Sequence, residues 1–580
     1  MNLKTGVPPL WRNKMTLAEF QTWLKKHKID AYYLTRNNMF LDEDILPEEN
    51  KIMALTGFSG SAGNLIITPE KAFLFVDGRY QLQAGLETDS ETVEILCTVA
   101  ASPHSWLRQN FSNNRRRIMY DPWCLAAEEL ERLVQDLPGT KFIADDKQLP
   151  GPRLSEKSAH VFELGEQYAG ISKEEKISGL LQTMAAHNLD AYLITSASEV
   201  SWLLNLRSDA LPDSPVVRAY ALVKKDGSAV LFGEHLDYPG VRSFAELGKT
   251  MKKIRKGRLG VSYRRMPQII SELCGPNICL MSDALEKDKA VKNPVEIQGF
   301  KKAHQRDAVA MIEFLFWLEN NWQGKTELDI VEKIDSLRRE QDLYYAKSFD
   351  TIAGTGSNGA VIHYHPTVKT NKTLEKNSVL LLDSGAHYFD GTTDITRTIA
   401  LGTPAPDIIN DNTMVLKAHI ELASTLFPTG TPGRALDPIC RRELWNEGKN
   451  YAHGTGHGVG FMLNVHEGPQ NISAAGSSYG FLPGMVTSIE PGYYKENAYG
   501  IRIENLYYVT EAADKNLESP MLKFKVLTLV PIDKRLINKY LLSEGEIKWL
   551  NDYHQKVLTA IGPLLDNGPA EWLREACSPL

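Results

Sequence analysis

VLLLDSGAHYFDGTTDITRT, residues 379–398, sets the fold class of this chain. Val379 to Leu382 is a continuous apolar run, the mark of a strand buried on both faces, and it ends in Asp383, so a carboxylate is pointed inward. Asp390-Gly391 is a turn signal before a second strand, Thr393 to Ala400, which carries Asp394. With Asp390-Gly391 as the central turn residues, Asp394 would face His387, four residues along the strand from Asp383 and on the same face. A longer loop or a bulge would instead set the two aspartates opposite each other.

Working outward, three later stretches supply groups of the same kind. His453 and His457 are four apart, but Gly454, Gly456, Gly458 and Gly460 make a helix there improbable, so an extended, closely packed backbone is expected to deliver one histidine. Val486, Ser488 and Glu490 alternate with Met485, Thr487 and Ile489, which ends a strand at Glu490 just before Pro491-Gly492. Arg502 and Glu504 share one strand face and Ile501 and Ile503 the other. Asp383, Asp394, His457, Glu490 and Glu504 are thus four carboxylates and one imidazole. Buried together they need a counter-charge, which two divalent cations would supply, and carboxylate-rich ligation suits a hard ion such as manganese. An arginine beside such a carboxylate is a natural clamp that orients it from outside.

Composition excludes several classes. A length of 580 residues exceeds one compact core, and about 100 to 200 residues per domain gives three or four. Net charge is -7, and the basic run Arg115 to Arg117 is three residues long, so no nucleic-acid surface is expected. No signal-peptide core precedes Pro8-Pro9, and no run of about 18 apolar residues offers a membrane span. The six cysteines are scattered without a CxxC pair, as expected for reduced thiols. Gly354, Gly356 and Gly359 satisfy GxGxxG, but Pro366 leaves no room for the helix a dinucleotide fold requires.

The first half carries a weak repeat at an offset of 160 residues. His27, Asp30, Ala31, Tyr32 and Thr35 recur as His187, Asp190, Ala191, Tyr192 and Thr195. Each set follows an amphipathic segment, Leu17 to Lys26 or Ile177 to Ala186, and the strands Ala72 to Val76 and Ala229 to Phe232 fall at comparable places. Two similar α/β modules are expected. Leu149 to Ser172 reads as a linker between them. Asn293, Pro294 and Glu296 form a capping box that starts a new helix, through about Asn320, with Ala308, Ile312, Leu315 and Phe316 at helical spacing. A final helix is expected from Glu544 to about Ile561.

On these residues the chain resembles the long, cytosolic form of X-prolyl aminopeptidase (aminopeptidase P), among the metallopeptidases that share the pita-bread fold with prolidase. The likeness is densest over His363-Tyr364, Asp383 to Gly385, Asp390 to Arg397, His453 to Gly460, Asn464 to Pro469, Ile489 to Gly492 and Gly500 to Asn505. It extends through Gly57 to Gly63, Asp77 to Tyr80, Leu527 to Ile532 and Trp549 to His554. The resemblance implies a mixed α/β (α+β) chain: creatinase-like modules at 1–160 and 161–292, then a pita-bread catalytic domain at 293–580 with an extension from about 515.

The resemblance further implies that Asp383, Asp394, His457, Glu490 and Glu504 hold two metal ions, Mn2+ before Co2+ or Zn2+, activating a hydroxide. Glu490 would shuttle the proton, His363, His453 and His466 would surround the substrate, and Arg502 would support the ligands. The substrate class is peptides with proline second, cut after the first residue by a cytoplasmic homodimer. Rivals are a prolidase restricted to dipeptides and a catalytically silent peptide- or protein-binding relative. Arg36 to Lys51 and Arg207 to Arg218 depart from the family pattern, which bears on the preferred first residue and peptide length.

Overall fold

The computed structural model describes residues 15–111, 115–145, 157–254, 257–275, 277–282, 284–513 and 517–580. Met1 to Pro9 and the Pro150–Pro152 part of the expected linker lie outside the described residues. The chain forms two compact units: residues up to Glu163 with Ile171–Leu211 and Pro215–Leu285, and Leu164–Gly170 with Pro212–Ser214 and Glu286–Leu580.

The first unit holds two sheets with the same wiring, and the repeated residues sit at their hearts. Ala31–Thr35 pairs antiparallel with Asn64–Ile67 and parallel with Arg117–Tyr120. Ala191–Ile194 pairs antiparallel with Ala219–Lys224 and parallel with Leu259–Ser262. Two of the repeated side chains, the aspartate and the threonine, have the same job in both copies. Asp30 accepts from the Arg117 amide at 2.8 Å and Asp190 from the Arg258 amide at 3.0 Å, in each case tying the strand entry to its parallel neighbour. The Thr35 hydroxyl donates to the Cys124 carbonyl and that of Thr195 to the Arg265 carbonyl. The repeat is therefore one of structure, with polar residues retained where they fasten the same crossover.

The expected linker is partly built. Ala159–Glu163 is a strand and Glu166–Ala169 a short helix. Gly165 and Gly170 cap that helix, with Gly170 at φ 69°, so glycines read as linker residues are serving as caps.

In the second unit the helix Pro294–Asn321 starts at the expected capping box, with Asn293 accepting from the Val295 and Glu296 amides. Ala308, Ile312 and Leu315 are buried in the main core. Phe316 is half-buried, on the side of the added helix Asn567–Ala576, where it lies against Gly568. The strand Ser378–Ser384 is buried at every position and lies between Ile352–Thr355 and Ile395–Leu401. A four-stranded sheet carries Val486–Ile489 and Asn505–Glu511 side by side. The tail joins this framework through Arg397. Its guanidinium donates to the carbonyls of Thr396, Glu504, Val530 and Pro531, to the Asn505 side chain and to the hydroxyl of Tyr553 in the helix Glu544–Ile561. A charge this deep is tolerable because every donor direction is used.

The turn of the opening hairpin differs from the expected one. Tyr388 pairs with Gly391, His387 with Thr392, Ser384 with Ile395 and Asp383 with Thr396, so Phe389-Asp390 are the central residues. Continuing that register places Asp394 opposite Gly385, two residues from Asp383, with no longer loop needed. The cause lies in Gly391, which serves close packing. A Cβ there would lie 2.8 Å from the Ala303 Cβ, and one on Gly299 would lie 2.3 Å from the Asp390 carbonyl oxygen. The hairpin and the long helix touch through these two glycines, and Arg306 of that helix pairs with Asp390.

Candidate metal centre

Of the five side chains singled out by the sequence, Asp383 lies in the strand Ser378–Ser384 and His457 in the short strand Gly456–His457, while Asp394, Glu490 and Glu504 each stand one residue outside a strand, Ile395–Leu401, Val486–Ile489 and Asn505–Glu511 respectively. Ligand atoms of Asp394, His457 and Glu504 all lie within 4.8 Å of one another. Glu490 joins them, its Oε1 lying 3.6 Å from His457 Nε2, while Asp394 Oδ2 is 3.3 Å from the same nitrogen. Asp383 enters from the neighbouring strand, held at Oδ2 by Arg502 at 2.6 Å, and its buried Oδ1 has no hydrogen-bond partner. That oxygen is the kind of buried, unsatisfied acceptor a cation would complete.

Local backbone explains why His457 presents one particular nitrogen. Gly456–His457 is a two-residue strand against Asn471–Ile472, as an extended, close-packed backbone requires. A Cβ on Gly456 would lie 2.1 Å from the Ser488 carbonyl oxygen, and one on Gly458 would lie 2.0 Å from that of Glu467. The His457 Nδ1 donates to the Gly458 carbonyl at 2.9 Å, which leaves the Nε2 lone pair facing the carboxylates. The Ser488 hydroxyl accepts from the His457 amide and donates to Glu490 Oε1.

Arg502 organises the other side. Its Nε donates to the Thr396 hydroxyl at 3.0 Å, and that hydroxyl donates to Glu504 Oε2 at 2.9 Å. Another nitrogen donates to Tyr494 at 2.6 Å. With its lone pair so used, Tyr494 donates to His453 Nε2 at 2.8 Å, while His453 Nδ1 faces the Gly454 carbonyl. One arginine thus touches a carboxylate, a hydroxyl and a phenol at once, which its planar fork allows and a lysine would not.

Burial pushes the carboxyls of Asp383, Glu490 and Glu504 above the ordinary carboxylate range, and their mutual repulsion adds to it. Such a group of acids is held together either by protons or by cations. With an imidazole lone pair aimed into it, the set fits divalent cations.

The remaining expected residues lie around this centre. The His466 ring is exposed and stands 4.4 Å from that of His457 at 81°. His453 is buried, with Nδ1 3.8 Å from Glu490 Oε2. His363 is half-buried and follows Ile362, whose carbonyl lies 3.4 Å from Arg502. Sequence reasoning missed Tyr494 and Thr396. Thr396 had a signal, since it alternates with Asp394 along one strand face. Tyr494 had only its period-two relation to Gly492. The rejected glycine motif is a 3-10 turn, Gly356–Ala360, with Gly359 packed against Gly500.

Comparison with known proteins follows this division of the chain. Residues 298–511 match the model of metallopeptidase family M24, and 520–580 match the C-terminal region of the same peptidases. Residues 17–149 and 152–296 each match a Creatinase/Prolidase N-terminal domain. A probable Xaa-Pro aminopeptidase P of Laccaria bicolor is 35% identical over 97% of this chain and 93% of that protein. The chain belongs to the Xaa-Pro aminopeptidases of metallopeptidase family M24. Another member of this family, the Xaa-Pro aminopeptidase app-1 of Caenorhabditis elegans, is 34% identical over 95% of each chain. A crystal structure of X-prolyl aminopeptidase from that organism, described as a cytosolic enzyme with a di-nuclear active site, superposes with a TM-score of 0.90 at 34% identity, covering 95% of each chain. The prolidase of Pyrococcus horikoshii is 26% identical with a TM-score of 0.51, over 62% of this chain and 99% of that one. The expected architecture, two creatinase-type modules before a pita-bread catalytic domain, is the one the family carries.

Proposed function

We propose that this chain is a metallo-aminopeptidase that hydrolyses the bond between the first residue of a peptide and a proline in second position. The carrying observation is the convergence of Asp394, His457 and Glu504 within 4.8 Å, with Glu490 and Asp383 beside them. These five would hold two divalent cations. When bound, the cations polarise the scissile carbonyl and make water a competent nucleophile near neutral pH. Mn2+ is the ion of choice for four carboxylates and one imidazole, with Co2+ and Zn2+ as substitutes.

The chain's own groups supply the rest. Glu490 is the proton carrier, accepting at Oε1 from Ser488 and lying 3.8 Å from the His453 ring at Oε2. His466, whose exposed ring stands 4.4 Å from that of His457, is the residue we assign to meet the substrate, with His363, next to Ile362, on the Arg502 side. Arg502 keeps Asp383 and, through Thr396, Glu504 in fixed orientation. The bond cut has no N–H, so the proline is recognised by ring shape and apolar contact.

The domain limits we adopt are 1–160, 161–292 and 293–580, supported by the separate family matches. A cytoplasmic homodimer is the setting we expect. The cytoplasmic part is supported by the cytosolic description of the worm enzyme and by six free cysteines, and the homodimer is carried over from the family resemblance. No helix among the described residues is long and apolar enough to cross a membrane.

The prolidase reading is tested by peptide length. With Mn2+ present, Xaa-Pro-Xaa tripeptides should lose their first residue and Xaa-Ala-Xaa controls should not. Cleavage of Xaa-Pro dipeptides with the tripeptides left intact would reverse the choice. The near-full-length likeness to the aminopeptidases, against 62% for the prolidase, favours the former.

A further inference from the structure

The loop that carries His453 lies outside regular secondary structure, and it is fastened from behind by the helix Gly433–Asn446. Asp437 and Arg441 lie one turn apart on that helix, and both are buried. Arg441 Nε donates to Asp437 Oδ2 at 2.7 Å. Its two outer nitrogens donate to the carbonyls of Tyr451 and His453 at 2.8 and 2.7 Å, and one also to the Asn450 side chain at 3.0 Å. The guanidinium carbon stands 3.9 Å from the centre of the Tyr451 ring. The second oxygen of Asp437 accepts from the Thr455 hydroxyl at 2.6 Å, and the Thr455 carbonyl accepts from the Glu490 amide at 2.8 Å. The Tyr451 hydroxyl completes the group by bonding to Thr455 Oγ1.

One ion pair therefore fixes the backbone on both sides of His453 and, through Thr455, the point where Glu490 leaves its strand. We infer that Asp437 and Arg441 are positioning residues for the reaction, setting the His453 ring and the Glu490 carboxylate in register with the metal centre. A buried pair of charges is a poor source of stability compared with apolar packing, so geometry is the better account of it. Only a planar, multi-donor head can hold two carbonyls two residues apart and a carboxylate while stacking on a ring. The inference rests on the peptidase reading, in which His453 and Glu490 act on substrate.

The test uses the full chain loaded with Mn2+ and the tripeptide Ala-Pro-Ala. Melting temperature, kcat and KM are compared for the wild type, Arg441→Lys, Asp437→Asn and Thr455→Val. Arg442→Gln, an exposed change on the same helix, serves as control. The expected result is a fall in kcat of about tenfold to a hundredfold in the first three variants with little change in KM, and none in the control. Folded Arg441→Lys and Thr455→Val proteins with wild-type kcat, or with a lowered melting temperature alone, would overturn the inference. Where Arg441→Lys does not fold, Thr455→Val decides, because valine keeps the shape of threonine and removes only the hydroxyl link. A wild type that leaves the tripeptide intact overturns the peptidase reading and this inference with it. An active wild type beside fully active variants overturns this inference alone.

Discussion

Glu490 is the residue on which ligation and proton transfer meet. It lies 3.6 Å from His457 Nε2, takes a hydrogen bond from Ser488, and its carboxyl is raised by burial. Glu490→Gln keeps the shape and removes the charge, so kcat on a proline tripeptide should fall by about 10²- to 10⁴-fold. A variant retaining wild-type kcat would remove Glu490 from the reaction. Residues of this kind were legible because strand periodicity is strict. Ser488 and Glu490, or Asp394 and Thr396, share a face by count alone. Tyr494 escaped because its role depends on where Arg502 ends, and that is set by contacts between segments far apart in sequence.

Elements were legible where local chemistry governs them. The capping box at Asn293 placed a helix start, and the apolar run at Val379 placed a buried strand. The hairpin turn misled because Asp-Gly is a turn signal only while glycine is free to serve the turn, and Gly391 is used to admit the long helix. Gly391→Ala should therefore cost about 1–3 kcal/mol by overpacking against Ala303, read as a lower denaturation midpoint, although alanine suits a strand better than glycine does. An unchanged midpoint would show that the two elements can part freely.

A second element-scale test concerns the helices Pro103–Phe111 and Ala127–Asp136. Glu129 and then Asp136 hold His104 in its charged form, raising its pKa above the ordinary histidine value. The charged form is favoured in the folded state. This contribution is thus complete below about pH 6.5 and is lost as pH rises through the raised value. His104→Gln should flatten the decline in melting temperature across that window, and an unaltered slope would contradict the assignment.

At the scale of the whole molecule, the repeat was visible because the residues that fasten each strand entry are polar and few. Asp30 and Asp190 bond equivalent amides in the two sheets. The tail was harder to read. Its place depends on Arg397 and on the Ile532 amide donating to His554, whose pKa burial lowers to about 4 so that the ring stays a neutral acceptor. Such long-range ties leave no periodic trace. The departing stretches 36–51 and 207–218 lie mainly in the first unit, apart from Pro212–Ser214, and the five converging ligands do not come from them.

The most direct test of the two-cation centre is a titration of metal-stripped full-length protein with Mn2+, following release of alanine from Ala-Pro-Ala. Activity should be absent in chelator and saturate as two equivalents bind per chain. Saturation at one equivalent, or full cleavage of the tripeptide in chelator, would contradict it.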